Sequence, residues 1–202
     1  MKKRMSPSKT GIIILAAGSS SRLGQPKQLL TYKGKTLVRR AVDMALESNS
    51  SANVLVLGAS FELISKEVQH TKIDMVINHD WEKGMASGMK KGLEYLEKKH
   101  SPDQVILMLC DQPFVDSGLL NNLIKKQAET GKGIIACHYN DIFGVPALFS
   151  KKYFSELYSL KGAEGAKKVI YNHQDEMDIV DFPDAAIDID TVEDYERLIK
   201  GN

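Results

Sequence analysis

The sequence is poor in the residues that mark several large classes of protein. It has only two cysteines, Cys110 and Cys137, which form neither a CxxC pair nor the framework of a small disulfide-bonded scaffold. Its five histidines are scattered and show no HxxxH or HxxEH spacing for a metal. This cysteine usage is typical of a reducing compartment, and we therefore expect a cytoplasmic protein.

Long apolar runs and an excess of charge of one sign are also missing. No apolar run reaches the roughly 18 residues of a membrane span, and the short run Ile12–Ala17 cannot serve as the core of a signal peptide. The formal net charge is +1, so we expect neither nucleic acid nor a membrane as a partner. We expect residues 1–9 to form a flexible tail and residues 10–202 to form a single domain.

Strand-like apolar runs alternate with helix-like runs along the chain. Gly11–Ala16 is typical of a strand buried on both faces, and Thr36–Leu46 carries the apolar stripe of a helix. This alternation requires crossover connections, and it predicts an α/β fold with three α/β/α layers around a mostly parallel sheet. Further strands are predicted at Asn53–Leu57, Asp74–Ile77, Gln104–Leu109, Gly133–Cys137, Ala147–Phe149 and Met177–Val180, and further helices at Phe61–Val68, Met85–Leu96, Leu119–Ala128, Tyr153–Leu157, Ala166–Tyr171 and Val192–Ile199.

The loop after the first strand has the composition of an anion site. Gly18 and Gly24 permit a tight turn and a close approach of backbone N–H groups to a ligand, and Arg22 and Lys27 add positive charge. The spacing matches neither a Walker loop nor the GxGxxG dinucleotide fingerprint. The loop predicts a polyphosphate site, although an ordinary solvated strand–helix connection is the alternative.

Three aspartates are candidates for a hard-cation site. Asp111 directly follows a predicted strand, where its carboxylate could hold Mg²⁺ against phosphates or simply form a turn. Asp188 and Asp190 are two residues apart, so both would face the same side of a strand and could complete the site. Asp190 or Thr191 could instead cap the last helix.

The stretch LAAGSSSRLGQPK, Leu15–Lys27, resembles the signature LAAGxSxRxGxxK of the molybdenum cofactor cytidylyltransferases and guanylyltransferases, which belong to the glycosyltransferase-A-like NTP transferase superfamily. Every fixed position of that signature is matched. Five further segments resemble motifs of the same family in the same order: VLVLGA (Val54–Ala59), NHDWEKGMASGMKKGL (Asn78–Leu93), LCDQPFV (Leu109–Val115), FGVPALF (Phe143–Phe149) and DIDTVEDY (Asp188–Tyr195).

The resemblance implies a nucleotidyl transfer, in which the terminal phosphate of molybdopterin attacks the α-phosphorus of a nucleoside triphosphate and pyrophosphate leaves. It implies Mg²⁺ as a cofactor, held by Asp111 with Asp190 or Asp188, and catalytic roles for Arg22, Lys27 and Asp111. The implied nucleotide-binding residues are Leu15, Ala16, Ala17, Gly18, Arg22, Lys27, Gly58, Gly84, Ser87 and Asp111, and the implied acceptor-binding residues are Gln112, Pro113, Gly144 and Pro146.

Other positions of the motifs carry weaker implications. Ser87 is the best candidate for a polar contact with the base, with a helix-start serine as the alternative. The only tryptophan, Trp81, is expected to pack the loop rather than line the site. Relatives commonly carry an aspartate and an arginine where this chain has Ala163 and Lys167, so the acceptor contacts are the part of the resemblance that this sequence alters.

The choice between CTP and GTP is predicted from a single methyl group, the side chain of Ala17. Cytidylyltransferases of this family carry LAAG and guanylyltransferases carry LAGG, so Ala17 favours CTP and molybdopterin cytosine dinucleotide as the product. That product serves xanthine dehydrogenase-type hydroxylases, which makes such an apoenzyme or its chaperone a further expected partner. The alternatives are a nucleotidyltransferase for another phosphorylated small molecule and a non-catalytic nucleotide-binding protein that delivers the molybdenum cofactor.

Overall fold

The strands of the computed structural model, which describes residues 8–20 and 23–200, form one central sheet and one small hairpin. Most of the tail predicted at residues 1–9 lies outside the described residues, as does Arg22. The sheet strands are β1 (Thr10–Ala16), β4 (Ala52–Leu57), β5 (Asp74–Ile77), β6 (Gln104–Leu109), β7 (Ile134–Tyr139), β8 (Ile142–Ser150) and β9 (Met177–Asp181), and the hairpin contains β2 (Thr31–Tyr32) and β3 (Lys35–Thr36).

The helices follow the strands in alternation. They are α1 (Leu37–Glu47), α2 (Phe61–Val68), α3 (Met85–His100), α4 (Ser117–Thr130), α5 (Phe154–Ser159), α6 (Ala166–Asn172) and α7 (Val192–Lys200). Within the described residues, no helix is both long and apolar enough to cross a membrane.

The central sheet is mostly parallel. Its order is β5-β4-β1-β6-β8-β7-β9, and β8 alone runs antiparallel to its neighbours β6 and β7. β1 lies between β4 and β6, with Ile13 opposite Val54 and Leu107. This central position explains why β1 is apolar on both faces, as its sequence predicts.

Two apolar clusters lie on opposite faces of the sheet and produce three layers. One joins Ile12 and Ile14 of β1 to buried residues of α1, α2 and α4. The other joins Ile13 to buried residues of α3, α5 and α6. Alternate residues of β1 therefore anchor both helical layers. The predicted α/β fold class is confirmed.

Two local predictions require correction. The predicted short strand Ala147–Phe149 is the end of the longer β8, which pairs with both β6 and β7. The segment of Asp188 and Asp190 is not a strand, and the central sheet is formed without it. The backbone N–H of Ile189 nevertheless donates to the carbonyl of Asp111 at 3.2 Å, which holds the segment beside the end of β6.

Candidate functional site

A cavity of about 380 Å³ lies beyond the carboxyl ends of β1 and β6. This is the edge at which open α/β sheets bind ligands. The structure brings seven of the predicted nucleotide-binding residues to its wall: Leu15, Ala16, Ala17, Gly18, Lys27, Gly84 and Asp111. A loop with exposed backbone on one side and a cation–carboxylate pair on another is suited to a nucleoside triphosphate.

The glycine-containing loop is held by one buried side chain, that of Gln28. Its amide nitrogen Nε2 donates to the carbonyl of Ala16 at 3.0 Å and to that of Gly18 at 2.9 Å. Its Oε1 accepts from the hydroxyl of Ser20 at 3.4 Å, and that hydroxyl accepts from the backbone N–H of Lys27. Gln28 is 1% exposed, so these bonds fix both ends of the loop from within the protein.

Lys27 is the cation of the site. Its ammonium group donates to Asp111 and, at 2.7 Å, to Oδ1 of Asp190. Burial opposes the charged form of Lys27, but the attraction of the two carboxylates is stronger and raises its pKa well above the ordinary value. Lys27 therefore stays protonated at neutral pH and is available to neutralise phosphate charge.

Asp188 lies near the same carboxylates and makes the cluster strongly acidic. Burial, and then the neighbouring charges of Asp111 and Asp190, raise the pKa of Asp188. Among the residues that the structure describes, one ammonium group, that of Lys27, thus faces three carboxylates. This excess of negative charge would be relieved by a cation or by protonation.

The donor set fits a hard divalent cation to a limited degree. Oδ1 of Asp111 is buried and has no hydrogen-bond partner in the described part of the chain, which leaves a lone pair for a ligand. Within residues 8–20 and 23–200, however, no three acidic, histidine or cysteine side chains are arranged together around a metal position. Mg²⁺ needs only one or two protein carboxylates beside phosphates and water, so Asp111 with one of the other two aspartates suffices.

The helix cap is settled by the hydrogen bonds before α7. The backbone N–H of Asp194 donates to Oγ1 of Thr191 at 3.2 Å, and the Asp194 carboxylate accepts from the backbone N–H of Thr191 at 2.9 Å. This reciprocal pair is a capping box. Thr191 therefore caps the helix and leaves the Asp190 carboxylate to Lys27.

A second cavity, of about 270 Å³, adjoins the first and shares Leu15, Met85 and Leu109 with it. Its wall is mainly apolar, with Tyr139 and Gly144 at one side and residues of the segment before α6 at another. Two adjoining cavities with a common wall offer room for two substrates. Gly144 is the predicted acceptor-binding residue that the structure brings to this second cavity.

Gln112, Pro113 and Pro146 are buried and lie outside the linings of these two cavities. Nε2 of Gln112 donates to the carbonyl of Val145 at 3.0 Å, which ties the loop after β6 to β8. The carbonyl of Pro113 accepts from Nη2 of Arg40 at 3.1 Å. In the structure these residues hold the loop that carries Asp111.

Ser87 does not reach the first cavity. Its hydroxyl lies 2.9 Å from the carbonyl of Asp80 and 2.8 Å from that of Gly84, and it accepts from Nδ2 of Asn78 at 2.8 Å. It lines a separate polar cavity on the other side of α3, whereas Gly84 and Met85 face the first. The structure therefore assigns Ser87 to the hydrogen bonding of the turn before α3.

Two positions near the first cavity require glycine because neighbouring residues pack too closely for a side chain. A side chain at Gly58 would collide with Ala17 and with Cβ of Trp81, both within 2.8 Å of the added Cβ position. Gly84 has a φ of 94°, and an added Cβ would lie 2.4 Å from the carbonyl oxygen of Gly162. The missing side chain at Gly58 lets Ala17 and Trp81, which line the first cavity, pack closely there. The missing side chain at Gly84 lets residues 162–163 contact the start of α3.

Sequence reasoning did not identify three residues of the site. Trp81 lines the first cavity rather than only packing the loop, and Met85, 45% exposed, lines both cavities. Gln28 follows Lys27 directly, and the helical turn Lys27–Leu29 turns its side chain inward. The one signal in the sequence that could have indicated Gln28 is the place of a polar residue within a short apolar segment, where burial is expected.

The match to a protein-family model agrees with this geometry. Residues 12–177 match the model described as a MobA-like NTP transferase domain. Nicotine blue oxidoreductase of Paenarthrobacter nicotinovorans is 29% identical over 204 residues, covering 96% of this chain and 97% of the relative. Purine catabolism protein PucB of Bacillus subtilis is 29% identical over 197 residues, covering 92% and 94%. A probable molybdenum cofactor guanylyltransferase of Bacillus mycoides is 25% identical over 130 residues, covering 63% and 62%.

Solved structures show the same architecture. The crystal structure of Rv0371c from Mycobacterium tuberculosis superposes with a TM-score of 0.82 at 30% identity, covering 97% of this chain and 100% of that one. A crystal structure of Rv0371c in complex with manganese superposes with a TM-score of 0.79 at 27% identity, covering 96% and 100%. The family match covers most of the chain and includes the lining residues of both cavities, whereas Asp188 and Asp190 lie beyond its end at residue 177. The chain belongs to the family of MobA-like NTP transferase domains.

Proposed function

We propose that the protein transfers CMP from CTP to the terminal phosphate of molybdopterin, forming molybdopterin cytosine dinucleotide and pyrophosphate. The observation that carries the proposal is the pair of adjoining cavities: one is lined by the glycine-containing loop, Lys27 and Asp111, and the other opens beside it with Gly144 in its wall. A nucleotidyl transfer needs this arrangement of two substrates.

The relatives support the acceptor. The Bacillus mycoides relative is named for the molybdenum cofactor, and the Bacillus subtilis relative is named for purine catabolism. We extend both to this chain as a proposal, with a xanthine dehydrogenase-type apoenzyme as the user of the product.

The chemistry requires charge neutralisation more than proton transfer. A phosphate nucleophile is already ionised at neutral pH, so the site needs no general base. The protonated Lys27 can stabilise the negative charge that develops on the departing pyrophosphate. Arg22 remains a predicted second phosphate ligand outside the described residues.

Mg²⁺ is proposed as the cofactor. The unpartnered Oδ1 of Asp111 and the acidic cluster with Asp188 and Asp190 favour a divalent cation, and the related Rv0371c has been crystallised with manganese. Asp111 would hold the ion with one of the other two aspartates, and a bound ion supplies charge neutralisation and orientation of the phosphates. Lys27 then has to share or yield its contact with Asp111 when nucleotide and metal bind.

The choice of CTP rests on Ala17. Its methyl group lies beside Gly58 at the wall of the first cavity, where it would narrow the space for a base. We expect Ala17→Gly to lower the preference for CTP over GTP by about ten-fold or more in kcat/KM, the scale of one methyl group in a pocket. Ala136→Gly is the control, because Ala136 is a buried strand alanine that lines neither cavity.

Pyrophosphate release with Mg²⁺ and molybdenum cofactor tests the function directly, with CTP, GTP and ATP compared. Release with CTP alone supports the proposal, and release with GTP alone overturns the nucleotide assignment while keeping the reaction class. No release from folded protein that still binds CTP would favour another phosphorylated acceptor or a non-catalytic carrier.

A second measurement tests for oxidoreductase activity, because one relative is named as an oxidoreductase. The loop of this chain lacks the GxGxxG fingerprint, so we expect no oxidation of NADH or NADPH under the same conditions. Nicotinamide oxidation without pyrophosphate release would contradict the proposed transfer.

A further inference from the structure

The second cavity contains two polar side chains among its described lining residues, those of Tyr139 and Lys167. Its other lining side chains are apolar or absent, including those of Leu15, Met85 and Met89. Pockets that bind small molecules fix their ligand's orientation with a few polar groups of this kind. The identity of these two groups therefore indicates what the cavity binds.

The Tyr139 ring packs directly against Gly144, which has no side chain to obstruct it. It lies at the end of β7, and a Cβ added to Gly144 of β8 would be 2.3 Å from the Tyr139 hydroxyl oxygen. The ring can occupy this position only because residue 144 is glycine. The hydroxyl makes no hydrogen bond to any described residue, so it is available to a ligand.

The Tyr139 hydroxyl is a potential hydrogen-bond donor to a ligand in the cavity. Burial, followed by the nearby groups of Cys137 and Asp188, raises the pKa of Tyr139 above its ordinary value, so the phenol stays protonated.

Lys167 supplies the second donor. It is exposed in the first turn of α6, its ammonium group lies 5.9 Å from the ring centroid of Tyr171, and it forms no ion pair with a described residue. The neighbouring Lys168, by contrast, is paired with Glu164 at 2.5 Å. No carboxylate is present among the described lining residues of the second cavity to neutralise Lys167.

A phenol donor and an unpaired ammonium group in an apolar cavity select an anion with an apolar body. We propose that Tyr139 and Lys167 bind the phosphate group of the acceptor in the second cavity and thereby set the acceptor specificity of the enzyme. This inference rests on the proposed function for the identity of the reaction, but the binding site itself can be tested without turnover.

The kinetic test uses two substitutions with neighbouring controls. Tyr139→Phe and Lys167→Gln should each raise the KM for the acceptor about ten-fold or more, as expected for the loss of a hydrogen bond to a charged group. The KM for CTP should not change. The matched controls are Tyr171→Phe, whose hydroxyl instead accepts from the backbone N–H of Phe143, and Lys168→Gln. Equal acceptor KM values in variants and controls would overturn the assignment.

A binding test separates this inference from the proposed reaction. Phenyl phosphate, an apolar ring with one phosphate group, is titrated calorimetrically into protein saturated with a non-hydrolysable CTP analogue. Saturation by CTP analogue is followed by the fluorescence of Trp81, the only tryptophan. Binding to the wild type that both substitutions weaken supports the site even if pyrophosphate is never released. Absence of binding, or equal binding in all variants, contradicts it.

Discussion

Lys27 and Asp111 are 84 positions apart in the chain and form an ion pair at the entrance of the first cavity. The pair connects the glycine-containing loop with the end of β6, and Asp190 joins it from the segment before α7. Neither charge is fully exposed, so the pair responds less to salt than a surface ion pair does. A phosphate chain that binds here meets a cation that is already placed.

Removal of either member of this pair should abolish most of the activity. We expect Lys27→Ala and Asp111→Ala each to lower turnover by ~10²-fold or more, the scale of losing a principal charge stabiliser. Lys66→Ala, on the exposed face of α2, is the control and should leave turnover unchanged. Near-normal turnover of a folded Asp111→Ala variant would exclude Asp111 as a metal ligand.

Gln28 should position the loop that we propose binds the nucleotide. Gln28→Met leaves the carbonyls of Ala16 and Gly18 without their donor, and we expect a loss of about 1–3 kcal/mol in the free energy of unfolding together with a higher KM for CTP. Denaturant unfolding and initial-rate kinetics measure the two effects.

The sequence contains a matched control for this substitution. Gln104 is also buried, and its Nε2 donates to Oγ1 of Thr10 at 2.8 Å, at the opposite end of β1. Gln104→Met should lower the stability similarly while leaving the KM for CTP unchanged. If both substitutions changed the KM equally, the effect of Gln28 would be general destabilisation rather than loop positioning.

Ser87 should affect stability rather than base binding. Ser87→Ala removes the acceptor of the Asn78 side chain, which is 4% exposed, and we expect a loss of about 1–3 kcal/mol in the free energy of unfolding. The KM for CTP should remain within a factor of about two, because the hydroxyl does not line the first cavity. A large increase in that KM with little loss of stability would restore the predicted contact with the base.

The pH dependence of stability should reveal the repulsion around Asp188. Its folded-state pKa is raised by burial, Asp111 and Asp190, so the folded protein binds the proton more tightly than the unfolded chain does. Asp188 therefore favours folding less as the pH rises through the raised pKa. We expect Asp188→Asn to raise the melting temperature near neutral pH, with a smaller gain at about pH 4, where the carboxyl is increasingly protonated in both states.

The control for the pH experiment is Asp175→Asn, which changes an exposed carboxylate outside the cluster. It should produce no gain in melting temperature at neutral pH. Mg²⁺ should diminish the difference between Asp188→Asn and the wild type, because a bound cation relieves the same repulsion. A difference that is independent of both pH and Mg²⁺ would contradict the electrostatic origin.

The local sequence predicts the strands and helices because the burial of their faces requires apolar residues at regular spacings. The apolar run Gly11–Ala16 indicates a strand covered on both faces, and it is the strand at the middle of the sheet. The same reasoning failed for Asp188 and Asp190, where alternating polarity suggests a strand. Alternation records only which residues face inward, and Ile189 is indeed buried, but a strand also requires backbone pairing with a neighbouring strand, which this segment does not make.

The residues of the first cavity were predictable because they follow strands that end at one edge of the sheet. Leu15, Ala16, Ala17, Gly18, Lys27 and Asp111 are reached by this rule or by resemblance. Which neighbouring side chains join them depends on rotation about a helix axis, since successive residues differ by about 100°. That rotation turns Met85 toward the first and second cavities and Ser87 away from them, although both lie in the first turn of α3.

The order of apolar and polar residues thus determined the strands, the helices and the loop that carries the cation. Only the tertiary structure decided that Gln28 fastens this loop, that Lys27 meets Asp111 and Asp190, and that Tyr139 fits against Gly144. These contacts join distant positions of the chain, and their existence depends on the packing of the whole sheet. A local pattern records the environment of a residue but not the identity of its distant neighbours.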